Sequence, residues 1–457
     1  MVNDAGGLPS RTALGSPIRA NLEITDACPL ACEHCYTFWG FSATGHRNSR
    51  DTSGRGLAEL SAVLSALIEA GLQIVTFTGG EPLARKDLLF PLISQAKEAG
   101  LRVLVNTTAC MLTSADADQF ASSGVDGFLV SLMSSDPAIH NAIAHANSHQ
   151  RTLRGIRLLT DRGLAVTVNM VCSKSNHMTV RGTARLASEL GAMMFSATPM
   201  LPTSCNAASR DLHLDADELR NVLFDLSWVR DHLPIRATTL DPVAHCQFDA
   251  EEREALGPLL GERYCCAGIT DCAVSPDGDL RACIMTSEIG GNILRDGWDA
   301  AWAALSSWRS ESMLPAECRS CTLVDACGGG CRVAAEATDG SLCGRDPYMT
   351  RAVHDPVPEP KRSVIAAAVT EGPTLEPQGK LMFSRDLIAR REPFGGSVFV
   401  RGKAVFLRED AFALVEHYAN QDYFTPQQWS TENQISLESV LAFLGVLEED
   451  RFLTTCH

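Results

Sequence analysis

At 457 residues the chain is too long for one ordinary domain, and two to four are expected. Hydrophobic residues make up 45% and charged residues 21%, a folded rather than a disordered composition, and the net charge of −16 argues against a phosphate-tracking nucleic-acid binder. No apolar run reaches the roughly 18 residues of a membrane span, and the opening MVNDAGGLPSRTALGSPIRA lacks the apolar core of a secretion signal, so a cytoplasmic protein is expected.

From about residue 18 to 210, short β-rich runs alternate with longer helical stretches. PIRANLEIT, LQIVTFTGG, LRVLVNTT, VDGFLVSL, LAVTVNMVC and AMMFSATP read as strands, with GLAELSAVLSALIEAG and DLLFPLISQAKEAG as clear helices between them. Six such units predict an α/β fold with a parallel sheet whose functional groups lie on loops after the strand C-terminal ends. CPLACEHC follows the first strand, where such a loop belongs.

Its three thiols, Cys28, Cys32 and Cys35, are one short of a closed tetrahedral site. Structural zinc takes four protein ligands, whereas a cubane iron–sulfur cluster held by three leaves one iron open. A zinc loop or three incidental thiols is the alternative. Seventeen cysteines in a cytoplasmic chain favour metal over disulfides, because that compartment keeps thiols reduced.

Residues 265–350 change character: cysteines crowd together and long periodic segments disappear, so metal is expected to stand in for a core. Cys318, Cys321, Cys327 and Cys331 form C-x2-C-x5-C-x3-C, Cys343 follows, and upstream lie Cys266, Cys272 and Gly278-x4-Cys283. Residues 351–380, with prolines at 356, 358, 360, 373 and 377, read as an extended linker. In the tail, SVFVR and KAVFLR suggest a hairpin turning at Gly402, and EDAFALVEHYAN and LESVLAFLGVLEEDRF read as amphipathic helices.

The cysteine triplet, with His34 before its last member, resembles the radical S-adenosylmethionine (radical SAM) superfamily. The resemblance implies a partial (β/α)6 TIM barrel and a 4Fe-4S cluster whose open iron is chelated by S-adenosyl-L-methionine, cleaved to a 5′-deoxyadenosyl radical that abstracts hydrogen from substrate. Gly79, Gly80, Glu81 and Pro82 match the family's GGEP element, implied to contact the methionine amino group. Asn106, Thr107, Ser131 and Asn169 fall where the family places polar contacts to methionine and ribose. Relatives often carry Arg-Gly after the fourth strand, where the nearest text here is Ala144-His145, and no general base is identified.

The later cysteines resemble the SPASM extension of this superfamily, which implies two auxiliary 4Fe-4S clusters, three in all. Its interleaved pattern implies Cys266, Cys272, Cys283 and Cys331 for the first and Cys318, Cys321, Cys327 and Cys343 for the second. Cys266 is preferred to Cys265 because CAG before SPDGDLRAC is the usual run. Zinc-ribbon ligation is the alternative, and Cys110, Cys172, Cys205, Cys246 and Cys456 read as ordinary buried or free thiols.

REPFGGSVFVRGKAVFLR followed by a helix resembles the small α+β, winged-helix-like PqqD-type peptide chaperones. The implied organisation is a radical SAM barrel over 18–240, a SPASM domain over 241–350, the linker over 351–380 and a peptide-recognition domain over 381–457. The implied function is maturation of a ribosomal precursor peptide, its leader held by the tail as an added strand, through an oxidative crosslink, with a flavodoxin or ferredoxin as electron donor. The alternatives are a protein-modifying dehydrogenase of the anaerobic sulfatase-maturating type and a non-catalytic iron–sulfur electron carrier. A lid or oligomerisation role is the alternative for the tail.

Overall fold

The computed structural model describes residues 14–37, 55–203, 207–261, 265–354, 375–400 and 403–455. Most of the expected linker (355–374), the Gly402 turn, Cys205 and Cys456 lie outside them. Two compact units emerge, 16–355 and a second made of 1–15 with 356–457.

The larger unit is built on one ten-stranded sheet. Strands β1 (Arg19–Glu23), β2 (Ile74–Thr78), β3 (Arg102–Thr107), β4 (Gly127–Ser131), β5 (Val166–Cys172) and β6 (Met194–Pro199) coincide with the six runs read from sequence. They pair in parallel and in order, the arrangement of a partial (β/α)6 barrel, and a seventh parallel strand, β7 (Arg236–Thr238), extends it past β6. The helices between them begin with α1 (Leu57–Glu69) and α2 (Lys86–Glu98), both foreseen. Next come α3 (Ser114–Ser123), α4 (Pro137–Ala144), α5 (His149–Thr160) and α6 (Val180–Glu189), with α7 (Ala216–His232) ahead of β7.

Strand alternation divides the sheet chemically. Leu22, Phe77, Val105, Val130, Val168 and Phe195 fall on one face and are buried among the helices' apolar residues. Glu23, Thr78, Asn106, Ser131, Asn169 and Ser196 share the other face near the strand C-terminal ends. Fully apolar parallel strands would leave nothing there to hold a polar ligand.

On its other side β1 pairs in parallel with β8 (Asp271–Val274), which continues antiparallel through β9 (Asp279–Arg281) to β10 (Gly291–Asn292). The helix α8 (Ala250–Gly261) precedes these strands. The short helices α9 (Trp298–Ala304), α10 (Val324–Cys327) and α11 (Arg332–Asp339) follow them. The cysteine-rich region is therefore joined to the barrel sheet by main-chain hydrogen bonds.

In the second unit a small pair, β11 (Leu381–Phe383) with β15 (Leu453–Thr455), accompanies the antiparallel sheet β12 (Ile388–Glu392), β13 (Gly395–Val400), β14 (Lys403–Arg408). Helices α12 (Glu409–Ala419) and α14 (Leu437–Glu449) were legible as amphipathic segments; α13 (Pro426–Asn433) and β12 were not. Phe412, Tyr418, Phe424, Trp429 and Phe452 fill a core belonging to this unit. The EPFG text is the β12–β13 turn, Glu392 pairing with Gly395 across Pro393 and Phe394. The SVFV stretch lies in the middle strand, paired on both sides, so among the described residues β12 and β14 are the edge strands.

Candidate functional site

The loop after β1 carries Cys28, buried, and Cys32 and Cys35, half-buried. A turn closes between the latter two, Cys35 N–H donating to the Cys32 carbonyl at 3.1 Å. The loop is tied to the end of α4, where Ala31 N–H donates to the Ala144 carbonyl (3.2 Å) and Glu33 N–H to that of Ile143 (3.1 Å). Cys28 and Cys32 sit in an apolar cluster with Leu30, Cys110 and Ala144. Ala144, in the text nearest to where relatives often carry Arg-Gly, thus braces the loop through its carbonyl.

Gly79 and Gly80 lie directly under this loop. Gly80 N–H donates to the Thr25 carbonyl (2.6 Å) and Glu81 N–H to that of Ala27 (2.7 Å). A Cβ on Gly79 would collide with the Thr25 carbonyl and one on Gly80 with that of Ala27, while Gly79 also has φ +123°. Glycine here lets two loops of the protein touch, in addition to any approach to a ligand.

The Glu81 side chain is fully buried and occupied. It accepts from Leu83 N–H (3.1 Å), Thr107 Oγ1 (2.6 Å), Thr108 N–H (2.7 Å) and Thr108 Oγ1 (2.6 Å). Thr107 points away from the polar face of β3 and serves this carboxylate, whereas Asn106 lies on that face beside Ser131 and Asn169. Asn169 Oδ1 accepts from Ser196 Oγ (2.7 Å) and Thr198 Oγ1 (2.9 Å).

Two features of this end, the Glu23–Arg281 pair and the buried His140, were missed by sequence reasoning. Glu23 forms a buried ion pair with Arg281, whose guanidinium also donates to the carbonyls of Ile284 (3.1 Å) and Thr286 (3.2 Å). Strand alternation in RANLE marked Glu23 as facing the same way as Asn21, but its partner is 258 residues away. Within the cysteine loop His34 is half-buried and beside the loop His140 is buried, and desolvation lowers each to a pKa of about 4. His140 Nδ1 accepts from Met133 N–H (3.2 Å), so its proton sits on Nε2, 3.0 Å from Ser148 Oγ.

The later cysteines fall into two groups with outliers. Burial holds the Cys331 thiol well above its ordinary value, and the Cys265, Asp241 and Cys283 charges push the same way. Burial likewise pushes Cys283 up to about 12, again with Cys265 and Asp241 adding to it. Cys265, Cys283 and Cys331 are therefore neighbours. Cys266 has Asp271, Thr270 and Arg19 about it as well as Cys265, and Cys272, fully buried on β8, has Asp271 and Arg281. The second group is Cys318, Cys321 and Cys327, which line one pocket. Burial pushes Cys318 up to about 12, with Cys327 and Cys321 contributing. Cys343 is exposed.

Buried thiols crowded in this way ionise only beside a cation, and backbone amides already aim at several of the sulfurs. Met285 N–H lies 3.4 Å from Cys283 Sγ, and Val353 N–H 3.4 Å from Cys321 Sγ. Among the described residues no three His, Cys, Asp or Glu side chains converge on one point as a single ion requires. A cubane makes a different demand, because each thiolate binds its own corner iron. The donor sets fit iron–sulfur clusters.

Residues 22–187 match the family model described as Radical SAM superfamily. The PqqA peptide cyclase of Streptomyces rochei is 29% identical over 387 residues, 79% of this chain and 96% of that protein. The mycofactocin maturase MftC of Mycolicibacterium smegmatis is 29% identical over 357 residues, 76% of this chain and 86% of the maturase. In fold the chain is similar to Streptococcus suis SuiB, crystallised bound to its precursor peptide SuiA, with a TM-score of 0.57 at 17% identity over 73% of this chain and 76% of SuiB. The loop that carries Cys28, Cys32 and Cys35, the strands that place it and the glycines beneath it thus belong to a radical SAM domain spanning residues 22–187.

Proposed function

We propose that this chain is a cytoplasmic radical S-adenosylmethionine enzyme that matures a ribosomally made precursor peptide, using three 4Fe-4S clusters and electrons from a flavodoxin or ferredoxin. The observation that carries the reading is the three-cysteine loop that follows the C-terminal end of β1 and whose leading residues pack on Gly79–Glu81. The names of the peptide cyclase and the maturase support a peptide as the substrate.

Cys28, Cys32 and Cys35 hold the first cluster, and bound S-adenosylmethionine supplies there an adenosyl radical able to take hydrogen from a substrate carbon. The chain's own work is to bind and orient. The occupied carbonyl oxygen of Asn169 leaves its amide N–H groups as the edge presented to the ligand, with Asn106 and Ser131 on the same face. Cys272, Cys283 and Cys331 with Cys265 or Cys266, and Cys318, Cys321 and Cys327, would hold auxiliary clusters, whose irons would supply the acceptor for the surplus electron of an oxidative crosslink. The tail binds the leader as an added strand on β12 or β14, the edge strands of its sheet.

Anaerobically reconstituted protein should carry about twelve irons, four per cubane. Replacing Cys28, Cys32 and Cys35 together by alanine should remove about four of these and abolish S-adenosylmethionine cleavage. Zinc in place of iron overturns the reading. A chain ending at Asp355 should keep its iron and basal cleavage while its apparent Kd for the precursor rises at least tenfold. Unchanged peptide modification by that truncated chain refutes the leader-binding role of the tail.

A further inference from the structure

We propose that Cys246 supplies the fourth thiolate of the cluster held by Cys318, Cys321 and Cys327, and that Cys343 is not a ligand. The assignment rests on reading 318–331 as an iron–sulfur site and changes which residue completes it.

Four sulfurs face one pocket: Cys246 lines it together with Cys318, Cys321 and Cys327. The pocket's remaining wall includes Leu323 and Met349. Cys246 and Cys321 also pack against the small apolar cluster of Leu323, Cys327 and Val353. No sequence motif points to Cys246, which lies 72 residues before Cys318 in a short helical turn, His245–Gln247.

Backbone amides are aimed at three of these sulfurs. His245 N–H lies 3.4 Å from Cys327 Sγ, Thr350 N–H 3.4 Å from Cys246 Sγ, and Val353 N–H 3.4 Å from Cys321 Sγ. Hydrogen bonds of this kind stabilise thiolate over thiol and are one of the protein's means of setting a cluster's potential. Thr350 Oγ1 also donates to the Cys246 carbonyl (2.6 Å), fixing the turn against 349–353. The remaining sulfur, that of Cys318, lies 3.8 Å from Met349 Sδ. Cys343 has none of these features: it is exposed, follows α11, does not line the pocket, and its N–H is taken by Ser341 Oγ at 3.2 Å.

The test uses the full chain, reconstituted anaerobically, with iron and sulfide counted and Mössbauer spectra recorded. Cys246→Ala should lose about a third of the iron, and Cys343→Ala should retain all of it, with near-wild-type spectra. The reverse pattern, or full iron in Cys246→Ala, overturns the assignment. Because Cys246→Ala could fail to fold, a second measurement uses wild-type holoprotein. Iodoacetamide should alkylate Cys343 without releasing iron, while Cys246 reacts only after iron is chelated, as read by peptide mass spectrometry. Loss of a cluster on alkylation of Cys343 overturns the proposal. A wild-type protein with only four irons overturns it together with the two-auxiliary-cluster reading, whereas twelve irons with an indifferent Cys246 overturns it alone.

Discussion

Because the Glu81 carboxylate accepts from Leu83, Thr107 and Thr108 inside a fully buried site, replacing it with alanine leaves four donors without their partner. Such a change should cost about 3 kcal/mol, with Glu81→Gln costing less because one amide oxygen still accepts; urea midpoints of the two variants measure this. The motif was legible as text, and so was its position after a strand. The direction of the side chain was not, because Thr107 and Thr108 are 26 and 27 residues away. His140 is a second case in which burial decides chemistry. Its folded pKa of about 4 lies below the ordinary 6.5, so the unfolded chain binds the proton first and stability is lost as pH falls from 6.5 toward 4. The loss attributable to His140 is roughly 3 kcal/mol over that range. Protonating Nδ1 also sets it against the Met133 N–H that it now accepts from. The expected outcome is a shallower stability–pH slope in His140→Gln than in wild type over pH 4–6.5, and equal slopes would contradict this account.

Among the elements, the six long parallel strands could be read because each is a run of β-formers bounded by loops. β12 could not: IARRE is charged and mostly exposed, the character of an edge strand that guards itself with arginines. The two glycines that follow have a steric reason no single-sequence pattern states. A Cβ on Gly396 would strike the Phe412 ring, and one on Gly395 would strike the Leu407 carbonyl and the Glu409 amide. Gly396→Val should therefore lower the melting temperature of the tail unit in the full chain and leave the iron content unchanged, as differential scanning calorimetry with iron assay will show. A proline at Phe399 acts similarly, by breaking the central strand β13, and is no test of edge pairing. Leader binding is better tested with proline on the outward-facing edge of β14. Next to Cys331, Gly330 has φ +78° and an added Cβ would sit 2.5 Å from Asp346 Oδ2, the atom that accepts from Cys331 N–H at 2.8 Å. Gly330→Ala should displace that carboxylate and lower iron occupancy at the site containing Cys331, read as iron per chain.

At the scale of the molecule, the barrel and the cysteine-rich region share one sheet and one buried ion pair. Removing either partner of Glu23–Arg281 leaves an unpaired buried charge, so Arg281→Met alone should cost about 3–5 kcal/mol, and adding Glu23→Leu should recover most of it. A double-mutant cycle on denaturation midpoints measures the recovery. The pairing that underlies this junction could not be read in advance, because β1 and β8 carry no mutual signal and the cysteine spacing alone suggested an independent module. Cys28, Cys32 and Cys35 announced themselves by proximity in sequence, whereas Cys246 and Cys318 are neighbours only through the fold.

The union of β1 with β8 also has a meaning in time. Arg19 and Asp271 are 252 residues apart, so on the ribosome β1 waits with one flank unpaired until most of the chain has emerged. Local β/α units can form early, but this closure comes late and carries the entropy of a long loop. A nascent chain halted near residue 240 would present β1 as a bare template for a neighbouring chain. Ribosome stalling or proteolysis in that interval should yield aggregates, and extending the fragment past Val274 should restore solubility by letting the chain cap its own first strand.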